Sequence, residues 1–373
     1  MYTIAVLFGG KSVEHDISII TALQTMKNLK KYKVIPIYIS ADGRFITGDN
    51  LSDAKTYLNF DRNAKNLKEV NFKLGCGQID IIKHNKIKHT LKIDCALLCN
   101  HGNGGEDGSL QGLLELAEIP YTSCKVASSA ICMDKALSKI VFSSKNIKSP
   151  AYVHFDICQY KAKKLDILKS IIDKIGCPCI IKPARLGSSV GIGICEDVKK
   201  LESCIEEAFL YDNKIIVEKY IVDAREFCCG ALKIGEKIVL GNVQEVSKSK
   251  IYTFSEKYLS SKAVENKKIA EDLEHKIKKL AEKTYRALEC DGVIRVDFLY
   301  DEKQEVLYVN EVNTIPGSLA FNLFPFPFSD LLNAIIDEAI EYHQKKRALL
   351  YTFSSEAIKA YIDMADHTKY KMS

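Results

Sequence analysis

The sequence has no apolar run approaching the roughly 20 residues that a membrane-spanning helix requires. Its longest runs, residues 4–8 and 95–99, are five residues each, so no transmembrane segment is expected. The opening stretch MYTIAVLFGG lacks a basic leader and a small-residue cleavage site, so no signal peptide is expected and the reading is cytoplasmic. Charge of one sign is also scarce. Lys plus Arg (53) against Asp plus Glu (48) leaves a net +5 spread along the chain. There is no basic block interleaved with aromatics, and nucleic acid is not an expected partner. No internal repeat is present, and tryptophan is absent, which excludes nothing.

Cysteine is plentiful instead. Thirteen cysteines in 373 residues are odd in number, scattered and often inside apolar runs, which reads as reduced core thiols. Cys177-Pro-Cys179 and Cys228-Cys229 lack a second matching pair, and Cys95, Cys99 and His101 lie largely within an apolar strand. That spacing does not predict a zinc site. The usage of 47% apolar and 27% charged residues is that of an ordinary globular protein, and at roughly 150 residues per domain the length suggests two or three domains.

Residues 3–8 read as a buried strand, Gly9-Gly10-Lys11-Ser12 as a break, and residues 16–29 as a helix, with Ile17, Ile20, Leu23 and Met26 at helical spacing. A second strand follows at 32–39. Such alternation predicts a parallel, helix-covered sheet. The pattern resumes with a strand at 93–100, a glycine-rich loop at 101–108 and a helix at 110–117, closing a first α/β domain near residue 123. A second unit, 124 to about 219, is expected to carry helices at 126–144 and 165–175 and strands at 179–183, 191–195 and 215–219. The remainder predicts strands at 226–232, 237–246, 292–299 and 305–312 and amphipathic helices at 270–288 and 329–347. A tail of mixed character follows from residue 349.

The strongest chemical signal is the pair VIRVDF (293–298) and YVNEVN (308–313), which reads as an antiparallel hairpin. Residues two apart share a face, so Arg295 pairs with Asp297 and Glu311 with Asn313. Two carboxylates and an amide oxygen suit a hard cation such as Mg²⁺; a surface ion-pair network is the other reading. The loop Gly187-Ser188-Ser189, with Lys182 at the end of the preceding strand, either closes over phosphate oxygens or is a tight turn. It lacks the order of a Walker motif. The loop His101-Gly-Asn-Gly-Gly-Glu-Asp-Gly108 and the Gly9-Gly10 turn each follow a strand, where open α/β sheets place ligands. Glu14 stands beside the second turn, where it either holds an amine or favours the helix dipole.

Taken in order, the motifs LFGGKSVEHDIS (7–18), HGNGGEDGSLQG (101–112), MDK (133–135), IKP (181–183), GSSVG (187–191), VEK (217–219), RE (225–226), KY (257–258), RVD (295–297) and NEVNTIPG (310–317) resemble those of the D-alanine:D-alanine ligases of the ATP-grasp superfamily, over residues 3 to about 345. The resemblance implies an α/β fold of three domains, 1–123, 124–219 and 220–348, followed by a tail at 349–373. The first would hold a parallel sheet, and the nucleotide would lie between the second and third.

The activity implied is ATP-dependent joining of two D-alanines through an acyl phosphate, for peptidoglycan synthesis. Lys135 and Lys182 would contact phosphates, Glu218 and the Lys219 backbone adenine, and Glu226 the ribose, with Lys257 also among the nucleotide-binding residues. Asp297, Glu311 and Asn313 would bind two Mg²⁺ ions, with Mn²⁺ able to substitute. Glu14, Ser188 and Tyr258 would form a trio linking the first substrate to a loop at about 246–263, and Arg295 and the Gly317 amide would face the oxyanion. A homodimer is also implied. Asn322, followed by Leu323, stands where many members carry an acceptor-gripping serine. D-serine or D-lactate as acceptor, or a nucleotide-binding homologue without catalysis, therefore remain alternative readings.

Overall fold

The computed structural model describes residues 1–58, 60, 61, 64, 66–246, 269–352 and 354–370. Its first sheet grows from β1 (Thr3–Gly9), whose TIAVLFG is buried almost throughout because the strand is flanked on both sides. It pairs in parallel with β2 (Lys33–Ile39) and with β7 (Cys95–Leu98). Helix α1 (His15–Asn28) provides the crossover between β1 and β2. The sheet then departs from the expected all-parallel pattern. Strands β3 (Phe45–Thr47), β4 (Lys68–Lys73), β5 (Gln78–Lys83) and β6 (Lys86–Lys92) extend it antiparallel beyond β2, giving the order β6-β5-β4-β3-β2-β1-β7. The outermost of these strands, β6, is exposed along nearly its whole length.

Helix α2 (Ser109–Leu116) follows the glycine-rich loop. The helix expected at 126–144 is two, α3 (Val126–Met133) and α4 (Lys135–Ser144). Asp134 breaks it: its backbone is extended, and its side chain accepts from the amides of Ala136 and Leu137, capping α4. A second sheet, of order β10-β9-β11-β8, contains β8 (Tyr152–Asp156), β9 (Cys179–Pro183), β10 (Gly193–Cys195) and β11 (Lys214–Lys219). Helix α5 (Ile157–Lys174) starts earlier than periodicity predicts, because Asp156 and Gln159 form a reciprocal capping box. Helix α6 (Leu201–Ala208) buries Leu201, Ile205 and Ala208 on this sheet's core.

A third sheet, β13-β12-β14-β15, is wholly antiparallel: β12 (Arg225–Ile234), β13 (Lys237–Val246), β14 (Val293–Asp301) and β15 (Val306–Asn313). The long helix α7 (Glu271–Ala287) covers it with Leu273, Ile277, Ala281 and Tyr285, and three acids in its first turn favour the helix dipole. Helix α8 (Phe328–Arg347) follows a 3₁₀ segment. Its Leu331, Leu332, Ile335 and Ile336 join the core of the first sheet. Residues 1–340 form one unit. Residues 341–373 form a second, containing the end of α8 and helix α9 (Ala357–Tyr370). Among the described residues no single helix is long and apolar enough to cross a membrane.

Candidate active site

Three loops meet at Glu14, which lies at the N-terminus of α1 and is 8% exposed. From the β9–β10 loop, the Ser188 hydroxyl donates to Glu14 Oε1. Two glycines lie against the same carboxylate: a Cβ on Gly187 would sit 2.6 Å from Glu14 Oε2, and one on Gly102 2.9 Å from it. Neither position admits a side chain while the carboxylate stays in place. Ser188 and Ser189 have φ of 53° and 57°, a left-handed conformation that costs a non-glycine residue about 1–2 kcal/mol. That conformation places the Ser188 hydroxyl on Glu14.

A second carboxyl belongs to the same cluster. Glu106 accepts from the amides of Gly102 and Ile315, both at 2.9 Å, tying the 101–108 loop to the segment after β15. Burial, with the charge of Glu14 adding to it, pushes its carboxyl up to about 8. His101 is buried beside it, with Nε2 2.9 Å from Thr21 Oγ1. Burial pushes the imidazole down to about 4, so it is neutral at physiological pH.

The second cluster is built from opposite charges. Lys182, on β9, donates to Glu218 Oε2 of β11 at 3.0 Å and to Asn310 Oδ1 at 3.3 Å. Lys139 Nζ lies 3.4 Å from Glu218 Oε1, and both side chains are almost fully buried. Burial alone would raise the Glu218 carboxyl, but Lys139 and Lys182 hold it below the usual range. Burial pushes Lys139 down to about 8, against the opposing pull of Glu218. Lys135, the first residue of α4, donates to Leu186 O at 2.8 Å and stands 3.4 Å from Glu311 Oε2.

The hairpin expected at 293–313 is present, and its register is now defined: Arg295 faces Asn313 and Asp297 faces Glu311. All four therefore project from one face. Arg295 binds Asp297 through two hydrogen bonds, 2.6 and 2.7 Å, and Asn313 Nδ2 donates to Asp297 Oδ2 at 3.1 Å. A single cleft is lined by Glu14, Glu106, Lys135, Gly187, Glu311 and Asn313, among others.

The donor set fits a nucleotide with a divalent cation. Lys139 Nζ and Glu218 Oε1 are buried and, apart from the 3.4 Å ion pair they form with each other, make no hydrogen bond among the described residues. One is a donor and the other an acceptor, as a heterocycle's edge requires. Carboxylate and amide oxygens of Asp297, Glu311 and Asn313 are hard ligands of the kind Mg²⁺ takes.

Other expected residues stand elsewhere. Lys219 is exposed at the end of β11, its amide donating to Ala151 O at 2.8 Å. Glu226 is exposed on β12, opposite Leu299 and Val246. Gly317 opens the 3₁₀ segment, in which Ser318, Leu319 and Ala320 all have φ near 50°. Asn322 is exposed and donates to Gln244 Oε1 at 3.4 Å, whereas Leu323 is buried against Gly230 and Gly241. Neither is among the residues given above for the cleft. Lys257, Tyr258 and most of the 246–263 loop lie outside the described residues. The sequence reading omitted Lys139, whose signal was its place four residues after Lys135 on one helix face, and Asn310, next to the metal-type acid Glu311.

Comparison with known proteins covers almost the whole chain. Residues 3–124 match the family model described as D-ala D-ala ligase N-terminus, and residues 141–335 the one described as D-ala D-ala ligase C-terminus. A D-alanine–D-alanine ligase from Thermosipho africanus is 39% identical over 366 residues, 95% of this chain and 98% of the relative. Among solved structures, the D-alanine-D-alanine ligase of Coxiella burnetii aligns with a TM-score of 0.79 at 26% identity, covering 98% of this chain and 99% of that one. The VanG D-Ala:D-Ser ligase of Enterococcus faecalis aligns with a TM-score of 0.77 at 32% identity, covering 92% and 99%.

Proposed function

The chain belongs to the D-alanine–D-alanine ligase family, and on that premise we propose that it joins two D-alanine molecules, converting ATP to ADP and phosphate, to supply a dipeptide for peptidoglycan synthesis. The observation that carries this reading is the cleft in which an anionic corner, Glu14 with Ser188, lies along one wall from the Lys135–Glu311 pair. One end suits an ammonium and the other the phosphates.

In this reading the first D-alanine places its ammonium at Glu14 and turns its carboxylate toward the γ-phosphate. Two anions approaching each other repel strongly in a water-poor cleft, and Lys135 and Lys182 offset that repulsion from the protein side. Asp297, Glu311 and Asn313 would hold two Mg²⁺ ions, or Mn²⁺, which supply the remaining positive charge when bound. A carboxylate oxygen attacks phosphorus, ADP leaves, and an acyl phosphate results. The amine of the second D-alanine attacks the acyl carbon, and phosphate departs with that oxygen. Arg295 and the Gly317 amide bind the oxyanion that forms between these steps.

Glu218 and the Lys219 backbone bind adenine in this scheme and Glu226 the ribose, with Lys257 also among the nucleotide-binding residues. Tyr258 completes the trio with Glu14 and Ser188, and Asn322 and Leu323 border the acceptor. The domain division at 123, 219 and 348, a homodimeric assembly and a cytoplasmic location belong to the same proposal.

The test is phosphate release from ATP with Mg²⁺ and D-alanine, with the product identified by mass spectrometry. Turnover on D-alanine alone, yielding D-alanyl-D-alanine, is the expected result. Turnover only when D-serine or D-lactate is added would reassign the acceptor, and no turnover with any of them would overturn the ligase reading.

A further inference from the structure

Outside the cleft, the second sheet gathers cysteines that are far apart in sequence. Cys179 opens β9 and Cys195 closes β10, and the antiparallel register sets them directly opposite each other. Residues opposite in such a pair project from the same face. Cys177 precedes Cys179 by two residues, and the sulfurs of Cys177, Cys179 and Cys195 all lie within 4.8 Å of one another. Cys204 comes from α6, which packs on that face, and its thiol is within hydrogen-bonding reach of Cys195. Two strands and the turn before β9 thus bring three thiols together, and Cys204 of α6 stands next to Cys195.

Spacing along the chain does not join these residues; strand register does. A tetrahedral zinc site has Zn–S bonds of about 2.3 Å and therefore sulfurs about 3.8 Å apart. The three sulfurs that lie within 4.8 Å of one another approach that spacing, and Cys204 would supply the fourth ligand. Cys179 and Cys195 are buried and Cys177 is half-buried, so an ion would have a water-poor shell with an entry side. All thirteen cysteines are free thiols, so no disulfide already occupies the cluster.

We propose that Cys177, Cys179, Cys195 and Cys204 form a structural site for a thiophilic divalent cation, Zn²⁺, bound as four thiolates with release of their protons. The ion would clamp the base of the β9–β10 hairpin. That hairpin's far end is the 184–192 loop, which brings Gly187 and Ser188 to Glu14. The site has no open position and takes no part in the chemistry. It is independent of the ligase reading.

The test uses the full chain, reduced with a phosphine and freed of metal, then titrated with Co²⁺ and with Zn²⁺. The expected result is one equivalent of Co²⁺ with thiolate-to-metal charge-transfer absorption and tetrahedral d–d bands, displaced by Zn²⁺. Zn²⁺ should raise the melting temperature by several degrees. Cys177→Ser, at a half-buried position, should weaken binding by on the order of a hundredfold or more and abolish the charge-transfer band. The exposed Cys158→Ser should change neither. Should Cys177→Ser fail to fold, Cys204→Ser gives the same readout from another element. Absence of the tetrahedral spectrum, an unchanged spectrum in both variants, or a thiol count two short in denatured protein before any reduction would each overturn the proposal, the last by revealing a disulfide instead.

Discussion

The lysine cluster around Glu218 and the cluster around Glu14, in the cleft, are built on opposite principles. Around Glu218, one carboxylate is shared by two buried lysines, so the cluster carries a surplus of positive charge and is rigidly cross-linked between α4, β9 and β11. Around Glu14, two carboxyls are neighbours, one of them pushed up to about 8, and they take hydrogen bonds from a serine and from backbone amides. The first arrangement awaits an anion. The second, in which burial and Glu14 together push the Glu106 carboxyl up, suits a single ammonium.

Breaking the lysine cluster should have the largest effect. Glu218→Gln would leave Lys139 and Lys182 buried without their counter-ion, a change that typically costs about 3–5 kcal/mol, and urea denaturation should show a loss of that order together with loss of ATP binding. A loss below about 1 kcal/mol would mean that the cluster is wetter than its burial indicates. Next comes Arg295→Met, which removes a proposed oxyanion partner and should lower kcat by about 10²–10³, or 2.7–4 kcal/mol of barrier, while leaving ATP affinity intact. Unchanged turnover would remove Arg295 from the mechanism.

Glu106→Gln sharpens the contrast through pH. Because burial pushes the folded-state carboxyl up to about 8 while the unfolded one keeps its ordinary value of 4.5, the unfolded chain binds fewer protons between those values. Stability is therefore full below about 4.5 and falls as pH rises through 8. The variant lacks this group, so its stability relative to wild type should improve across that window, by on the order of a few kcal/mol. Parallel pH profiles of the two proteins would contradict the assignment. The smallest effect is expected at Asn322→Ser. This exposed side chain makes one long hydrogen bond to Gln244, so stability should shift by less than about 0.5 kcal/mol; any change should be in the KM for the second amino acid.

Much of this was legible in the sequence because the chemistry sits in contiguous motifs. The hairpin of Arg295, Asp297, Glu311 and Asn313 follows from period-two alternation, and only its register required the structure. The glycines against Glu14 were visible as glycine-rich turns after strands, but their convergence on one carboxylate was not, since it depends on loops separated by 174 residues in sequence. The antiparallel half of the first sheet was missed because its apolar alternation is short, Val70 and Phe72 in β4 and Ile79 and Ile81 in β5, and is set among charged and polar residues, while β6 is largely exposed. The break at Asp134 was missed because the periodicity of α3 runs on into α4; the capping aspartate was the available sign. The cysteine cluster was illegible because register, not spacing, assembles it.

The central claim is that a carboxylate oriented from Glu14 is phosphorylated before the second amine attacks. It is tested most directly by supplying D-alanine with both carboxylate oxygens isotopically labelled, together with ATP and Mg²⁺, and weighing the released phosphate. The account predicts one labelled oxygen in each phosphate formed, with matching loss from the dipeptide's new amide carbonyl. Unlabelled phosphate accompanying dipeptide formation would mean that no acyl phosphate forms, and would contradict the roles given to both clusters.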